Sequence, residues 1–327
     1  DYHKTLKDYL KSKLYLFERL LEKKANIITD IEIPQYKKIK EIALKNKYNI
    51  ETISNNKSNL EIISHEYNNE KQVVKIKYNR NIYKFETKLI GKIQIKNILM
   101  AMMAATKSGL SFKKIINVID NLKPVSGRLE QIGMIKNNAR VMLDYAHTPD
   151  ALKTSLKSLR EQFKNRKLSI VFGCGGDRDK TKRPMMGKIA NQYCDRIYLT
   201  DDNPRNENPK KIRASIYKNI NKSKIYETSN RADAIKKAIF ELKTGDILIV
   251  AGKGHEKTQE YKKIKRLFSD EREILKNIVI KNKTLSSNLK LNILKELSNS
   301  NDISSKIEIN NASINSKEIK KNNVFFA

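Results

Sequence analysis

From residue 128 to residue 280 the chain repeats one pattern: a short apolar run, then a stretch with apolar residues at helical spacing. The runs are "RVMLD" (140–144), "LSIVF" (168–172), "RIYLT" (196–200), "KIYET" (224–228) and "DILIV" (246–250). Between them, Leu152, Leu156, Leu159 and Phe163 fall on one helix face. Pro149 and Pro209 mark first helical turns, where proline is favoured; further helices are expected from about 184 and from about Ser229. Apolar strands separated by amphipathic helices specify an α/β fold with a doubly wound parallel sheet, covered on both faces.

Such sheets gather ligands at the carboxyl ends of their strands. The unusual motifs of this chain all lie at those ends: "DYAHTPD" (144–150), "GCGGDRD" (173–179), "DDNPR" (201–205) and "AGKGHE" (251–256). "GCGGDRD" lacks the G-x-G-x-x-G spacing of a dinucleotide fingerprint, which argues against a nicotinamide cofactor. In "DDNPR", Asp202, Asn203 and Arg205 follow a buried strand within four residues, either an ordinary polar turn or a reader of a small zwitterion.

The first residues are expected to form a helix with Leu6, Leu10, Leu14 and Phe17 on one face. "KQVVKIKYNRNIYKFETKL" reads as a hairpin turning near Asn79–Asn81. "GKIQIKNILMAMMAATKSGLSFKKIINVIDNLKPV" gives two helices broken at Gly109, the second capped by Ser111. Pro124 and Gly127 suggest a boundary, giving domains 1–126 and 127–280. Residues 281–327 read as a linker with one short helix, Leu289 to Leu297, and the truncated start of another domain.

A net charge of +31 invites a nucleic-acid reading, but the lysines are spread through every segment and Trp is absent. A solvated basic surface is the simpler account, and it attracts anionic nucleotides. No apolar run reaches the ~20 residues that span a bilayer. Two cysteines, Cys174 and Cys194, form neither a disulfide framework nor a metal spacing, so Cys174 is expected to be structural. A cytoplasmic protein without nucleic-acid or membrane partners is expected.

"LDYAHTPDAL", "VFGCGGDRDKTKRPMMGKIA", "TDDNPRNENP" and "VAGKGHEKTQ", in this order, resemble the Mur ligases over about residues 1–280. The resemblance implies the end of a central ATPase domain followed by a Rossmann-like C-terminal domain. It also implies ATP as a substrate, Mg²⁺ as a cofactor, and ligation of meso-diaminopimelate to UDP-N-acetylmuramoyl-dipeptide through an acyl phosphate. Lys13 matches a carbamylated, Mg²⁺-supporting lysine, with Lys11 the nearest competitor and a plain surface lysine the bland alternative. His3 is not expected to be a ligand. Asn97, Arg128, Asp144 and His147 match nucleotide-binding positions; read alone they are a helix-end amide, two salt-bridge partners and a turn histidine.

For the amino acid, the resemblance points to Arg178, Asp202, Asn203, Pro204, Arg205, Gly252 and Glu256. Arg205 and Arg178 would grip the distal carboxylate that L-lysine lacks, and Glu256 would pair with the distal ammonium. Asp202 is expected to support its loop. The phosphate-binding loop is absent from this chain, which reads as a fragment that is inactive alone. The tail, "ASINSKEIKKNNVFFA", more loosely resembles the start of a second Mur ligase, the one adding D-Ala-D-Ala, and suggests a fusion. A folylpolyglutamate-synthetase-like ligase and a basic RNA-binding or interaction module remain as alternatives.

Overall fold

The structure, a computed structural model, describes residues 3, 5–68, 71–298, 311–313 and 323–325. The chain divides into two compact units. One comprises Asp1–Val125 with Thr154–Lys164 and Arg178–Lys180; the other comprises Ser126–Lys153, Asn165–Asp177 and Thr181–Ala327.

The first unit opens with α1 (Leu6–Tyr15), where the Thr5 hydroxyl accepts the Asp8 N–H at 3.1 Å. Leu10, Leu14 and Phe17 join Ile27, Ile39 and Ala43 in a small core. Leu6, expected on the same face, is 87% exposed. The first turn of α1 lies outside that core, and a π turn over Leu16–Leu20 shifts the phase of the residues that follow.

Next come β1 (Asn26–Asp30), α2 (Tyr36–Lys45), β2 (Asn49–Ser54), β3 (Leu60–Asn68), β4 (Lys71–Tyr78) and β5 (Asn81–Thr87). The strands form one sheet in sequential order, parallel from β1 to β3 and antiparallel from β3 to β5. Asn79 and Arg80 both have positive φ, 48° and 68°, so the expected hairpin closes in the two-residue turn that matches strand twist. α3 (Lys92–Lys107) ends before Gly109, whose φ of +94° breaks the helix as expected. Ser111 precedes the short α4 (Phe112–Ile116), but its side chain makes no capping bond. Ile53, Leu60, Val74, Ile76, Leu99 and Met103 fill the core of this unit.

The second unit is built on β6 (Glu130–Met134), β7 (Arg140–Asp144), β8 (Leu168–Phe172), β9 (Arg196–Leu199), β10 (Ile225–Glu227) and β11 (Ile247–Ala251). Their order is β10-β9-β8-β11-β7-β6, with every pairing parallel except β6 with β7. α5 (Pro149–Gln162), which belongs to the first unit from Thr154 onward, α6 (Lys182–Tyr193), α7 (Pro209–Tyr217) and α8 (Arg231–Glu241) follow β7, β8, β9 and β10 respectively. Every residue of β7, β8 and β11 is buried, as a sheet covered on both faces requires. Asn208 and Asn230 cap α7 and α8 through their side chains. A hairpin of β12 (Thr258–Tyr261) and β13 (Ile264–Leu267) follows β11.

α9 (Asp270–Ser298) runs unbroken through residue 281, where a linker is expected from the polar composition, and covers the shorter helix expected at Leu289–Leu297. The stretch contains neither proline nor glycine, so nothing interrupts the helix. The Lys281 ammonium donates to the carbonyls of Ile239, Phe240 and Leu242 at the C-terminus of α8, at 2.7–3.0 Å. In the tail, Asn311–Ser313 and Asn323–Phe325 pair in parallel. Most of the segment expected to resemble a second ligase lies outside the described residues. Among the described residues, no helix is long and apolar enough to cross a membrane.

Arg231 joins three elements of this unit. Its Nε and Nη2 donate to Asp270 at 2.7 Å each, and Nη2 also donates to the Ala251 carbonyl at 2.9 Å, with both side chains fully buried. Replacing Arg231 by leucine strands the Asp270 carboxylate and should cost about 3–5 kcal/mol in urea unfolding. The double variant Arg231→Leu/Asp270→Leu should recover most of that loss.

Candidate functional site

The sheet order places β9, β8, β11 and β7 side by side, so the loops leaving their carboxyl ends form one edge. Glycines let those loops touch. A Cβ on Gly173 would stand 2.2 Å from the Thr200 carbonyl oxygen, and one on Gly176 would stand 1.8 Å from that of Pro204. The Gly176 N–H donates to the Asn203 carbonyl at 2.8 Å. Asp177 accepts from the Asn206 side chain at 2.7 Å, and its N–H donates to Glu207 at 2.7 Å. Buried Arg183 forks onto Glu207 at 2.8 and 3.0 Å. The glycine-rich loop therefore serves close packing against "DDNPR".

Within that loop, Asp201 and Asp202 have different surroundings. Asp201 accepts from Arg213 of α7 and, at 3.1 Å, from the Tyr261 hydroxyl. Burial pushes the Asp201 carboxyl up while Arg213 opposes it; burial and Asp201 together push the Tyr261 phenol up. Asp202 is 7% exposed, and its Oδ2 has no hydrogen-bond partner. That oxygen faces Gly252: a Cβ there would meet it at 2.7 Å, and the φ of +113° also favours glycine. Asp202, expected to brace its loop, contributes only its backbone carbonyl, which accepts from Gln259 at 2.7 Å.

Asn203 is buried between two walls. Its Nδ2 donates to Glu256 at 3.0 Å, and its Oδ1 accepts from Lys253 and from the Glu260 N–H, both at 3.0 Å. Pro204 is buried beside it. Arg205 adopts a φ of +51°, and its N–H donates to the Glu260 carbonyl while its own carbonyl accepts from Lys262, so the loop pairs with β12. Its guanidinium is part-buried, with Nε 3.2 Å from Glu260 and Nη1 2.8 Å from the Gly176 carbonyl.

Lys253, which motif reading passes over, is fully buried; its ammonium donates to Asn203, to Glu256 at 3.1 Å and to the Thr258 carbonyl at 2.7 Å. Burial pushes the Glu256 carboxyl up, but Lys253, Asn203 and Arg205 outweigh it and hold the group below its ordinary value.

At the end of β7, the Arg128 guanidinium lies 4.9 Å above the Tyr145 ring, which also meets His147 at 4.7 Å and His255 at 5.6 Å. His147 Nδ1 bonds the Tyr145 carbonyl at 2.8 Å. Buried Asp144 accepts the Leu129 N–H at 3.3 Å, next to Arg128. The edge thus gathers Arg128, Asp144 and His147 on one strand end, and adds Tyr145 and His255, which sequence reading left out.

The remaining expected residues lie elsewhere. Arg178 is exposed on the loop after β8, one residue beyond Asp177. In the first unit, Lys13 is exposed in the last turn of α1, 5.4 Å over the Tyr9 ring. Asn97 is exposed on α3 and bonds Gln94 at 3.4 Å. Its neighbour Lys96 bridges Asp30 and Glu32, and that hydrogen bond holds the Glu32 carboxyl down at about 2. Among the described residues no three His, Cys, Asp or Glu side chains converge as a metal cage. Cys174 is buried against Met186, and burial pushes its thiol up to about 12, which fits a structural role.

Residues 1–105 match the description "Mur ligase middle domain" and residues 127–254 match "Mur ligase, glutamate ligase domain". A relative from Rickettsia montanensis, named UDP-N-acetylmuramoyl-L-alanyl-D-glutamate–2,6-diaminopimelate ligase, is 41% identical over 261 residues, covering 79% of this chain and 53% of the relative. One of the same name from Rhizobium meliloti (strain 1021) is 39% identical over 276 residues, covering 84% and 56%. A solved structure of that name superposes with a TM-score of 0.61 at 31% identity, over 85% of this chain and 57% of the other. The chain spans about half the length of the curated relatives it matches.

Gly176→Ala tests the packing of the two loops. Its methyl would collide with the Pro204 backbone rather than a movable side chain. The variant should lose about 1–3 kcal/mol of stability in denaturant titration, whereas alanine at Gly109, with open space around its Cβ, should lose only its φ penalty, about 1 kcal/mol.

Proposed function

Because the chain belongs to the Mur ligase family, we propose that it is part of an ATP-dependent ligase joining meso-diaminopimelate to UDP-N-acetylmuramoyl-L-alanyl-D-glutamate. The observation that supports this most is the wall of Asp202, Asn203 and Arg205 locked against Gly252 and Glu256. Asp202 Oδ2 is buried against Gly252 without a hydrogen-bond partner, so its carboxylate would add negative charge behind the wall rather than touch the ligand. Arg205 spends one N–H on Glu260 and another on Gly176, and a guanidinium has five. Its remaining donors suit the distal carboxylate that separates meso-diaminopimelate from L-lysine. Glu256 and Asn203 would receive the ammonium beside that carboxylate, with Pro204 stiffening the loop and Arg178 as a second carboxylate partner.

In this reading the glutamate carboxylate attacks the γ-phosphorus of ATP, ADP leaves, and an acyl phosphate forms. The free amine of meso-diaminopimelate then attacks the acyl carbon, phosphate departs, and the nitrogen gives up a proton as the amide forms. The chain's own part is positioning and charge. Exposed Arg128, held over Tyr145, would serve phosphate, with Asp144 and His147 as nucleotide-binding residues of the second unit; Asn97 is proposed as a nucleotide-binding residue of the first unit. Lys13 has the exposure that carbamylation needs. Lys13, as a carbamate, would help hold a Mg²⁺ ion, which would supply neutralisation of phosphate charge. Nucleotide substrates of this kind place the work in the cytoplasm. The tail resemblance leaves fusion to a second ligase as part of the proposal.

Calorimetry on the 327-residue chain tests the amino-acid site. We expect meso-diaminopimelate to bind at least about tenfold more tightly than L-lysine. Arg205→Ala should remove about 1.5–3 kcal/mol of that binding, the range for a hydrogen bond to a charged group, and abolish the preference. Equal affinities for the two amino acids in the unaltered protein would overturn the reading.

A further inference from the structure

We propose that Lys253 is the positioning residue of the amino-acid pocket, its buried ammonium fixing the Asn203 amide in one orientation and holding Glu256 ready for a ligand's distal ammonium. The inference rests on the amino-acid reading above and deepens it.

An ammonium has three N–H donors, and Lys253 uses each: Asn203 Oδ1 at 3.0 Å, Glu256 Oε2 at 3.1 Å and the Thr258 carbonyl at 2.7 Å. The three acceptors come from the loop after β9, the loop after β11 and the start of β12, so one charge ties both walls of the pocket to the hairpin behind them. At Asn203 the effect is directional. Two donors, the Lys253 ammonium and the Glu260 N–H, meet the same side-chain atom, which must therefore be the oxygen. The amide nitrogen is left facing Glu256. A flipped amide would set donor against donor at two points.

At Glu256 the effect is electrostatic. Oε2 takes both the Lys253 and the Asn203 bonds, while the side chain remains 33% exposed, leaving Oε1 for a ligand. The charged groups acting on Glu256 are Lys253 from its own loop, Arg205 from the loop after β9 and Arg231 from α8. These are all cations, and together they favour the ionised carboxylate. Lys253 itself has no surface from which to touch a substrate, so it acts through its two partners.

The test is meso-diaminopimelate binding by calorimetry from about pH 3.5 to 8, with the unaltered chain and Lys253→Met. Glu256 is held below its ordinary value, so in the unaltered chain binding should persist into acid and fade only as the carboxylate takes a proton there. In Lys253→Met that acid limb should move to higher pH, and affinity at neutral pH should fall about tenfold or more. A merely structural lysine would lower affinity without moving the limb, and that result overturns the proposal. If the variant does not fold, the carboxyl ¹³C signal of Glu256 in the unaltered chain decides: titration below the ordinary glutamate range supports the proposal, and titration within or above that range overturns it. Failure of the amino-acid reading shows separately, as equal binding of meso-diaminopimelate and L-lysine by the unaltered chain.

Discussion

An ammonium sealed from water has to find an acceptor for every proton, and Lys253 does so with groups from three segments. That requirement organises the edge of the second sheet. It sets where the loop after β9 can lie, because Asn203 must present its oxygen. It sets where β12 starts, because the Thr258 carbonyl must point inward. Glu256 is then held by two bonds to one oxygen, with the other left over. Local backbone follows from the same constraint: with Asn203 fixed and Glu260 paired to it, Arg205 takes a positive φ and closes a bridge to Tyr261.

Further buried ion pairs extend this arrangement outward. Arg183 holds Glu207 and with it the two glycine-spaced loops; Arg213 holds Asp201 to α7; Arg231 holds the end of β11 to α8 and α9. Pairs of this kind add little net stability over apolar packing, but losing one partner is costly. Their value here is geometric, since each removes an alternative position for a loop that would otherwise be free to move. A positional tolerance of about half an ångström is what recognition of a small zwitterion demands, and loops alone rarely supply it.

The parallel sheet was legible because its strands are buried on both faces, so "RVMLD", "LSIVF" and "DILIV" appear as continuous apolar runs. The hairpin at Asn79–Arg80 was legible from turn chemistry. β6 ("EQIGM") was not, because an edge strand alternates weakly, and β12–β13 sits on a surface where lysines hide the pattern. The length of α9 was obscured by polar composition that is compatible with helix. The acids and amides of the candidate site stood out as motifs, yet Lys253 did not. In a chain with 67 lysines and arginines one more lysine carries no signal, and its burial is decided by partners 50 residues away. Asp201 and Asp202 could not be told apart for a related reason: sequence shows two adjacent acids, and only packing shows that Arg213 and Tyr261 take the first and leave the second.

That asymmetry settles what the +31 charge contributes. At the candidate site the cations are matched: Lys253 by Glu256, Arg205 by Glu260, Arg183 by Glu207, Arg213 by Asp201 and Glu227, and Arg231 by Asp270. Even so, Asp202 Oδ2, Arg183 Nε and Arg231 Nη1 are buried atoms without a hydrogen-bond partner. The paired interior of the site thus contrasts with a protein that is strongly cationic at long range. Screening shortens the long-range field to about 8 Å at physiological salt, so the surface lysines can steer a nucleotide toward the molecule but cannot choose the amino acid. In the proposed reading that choice would fall to Glu256, whose free oxygen favours an ammonium, and to the spare donors of Arg205, which favour a carboxylate. On that reading both features depend on pairings that leave them unspent, so discrimination at this edge would arise from what the interior ion pairs do not use.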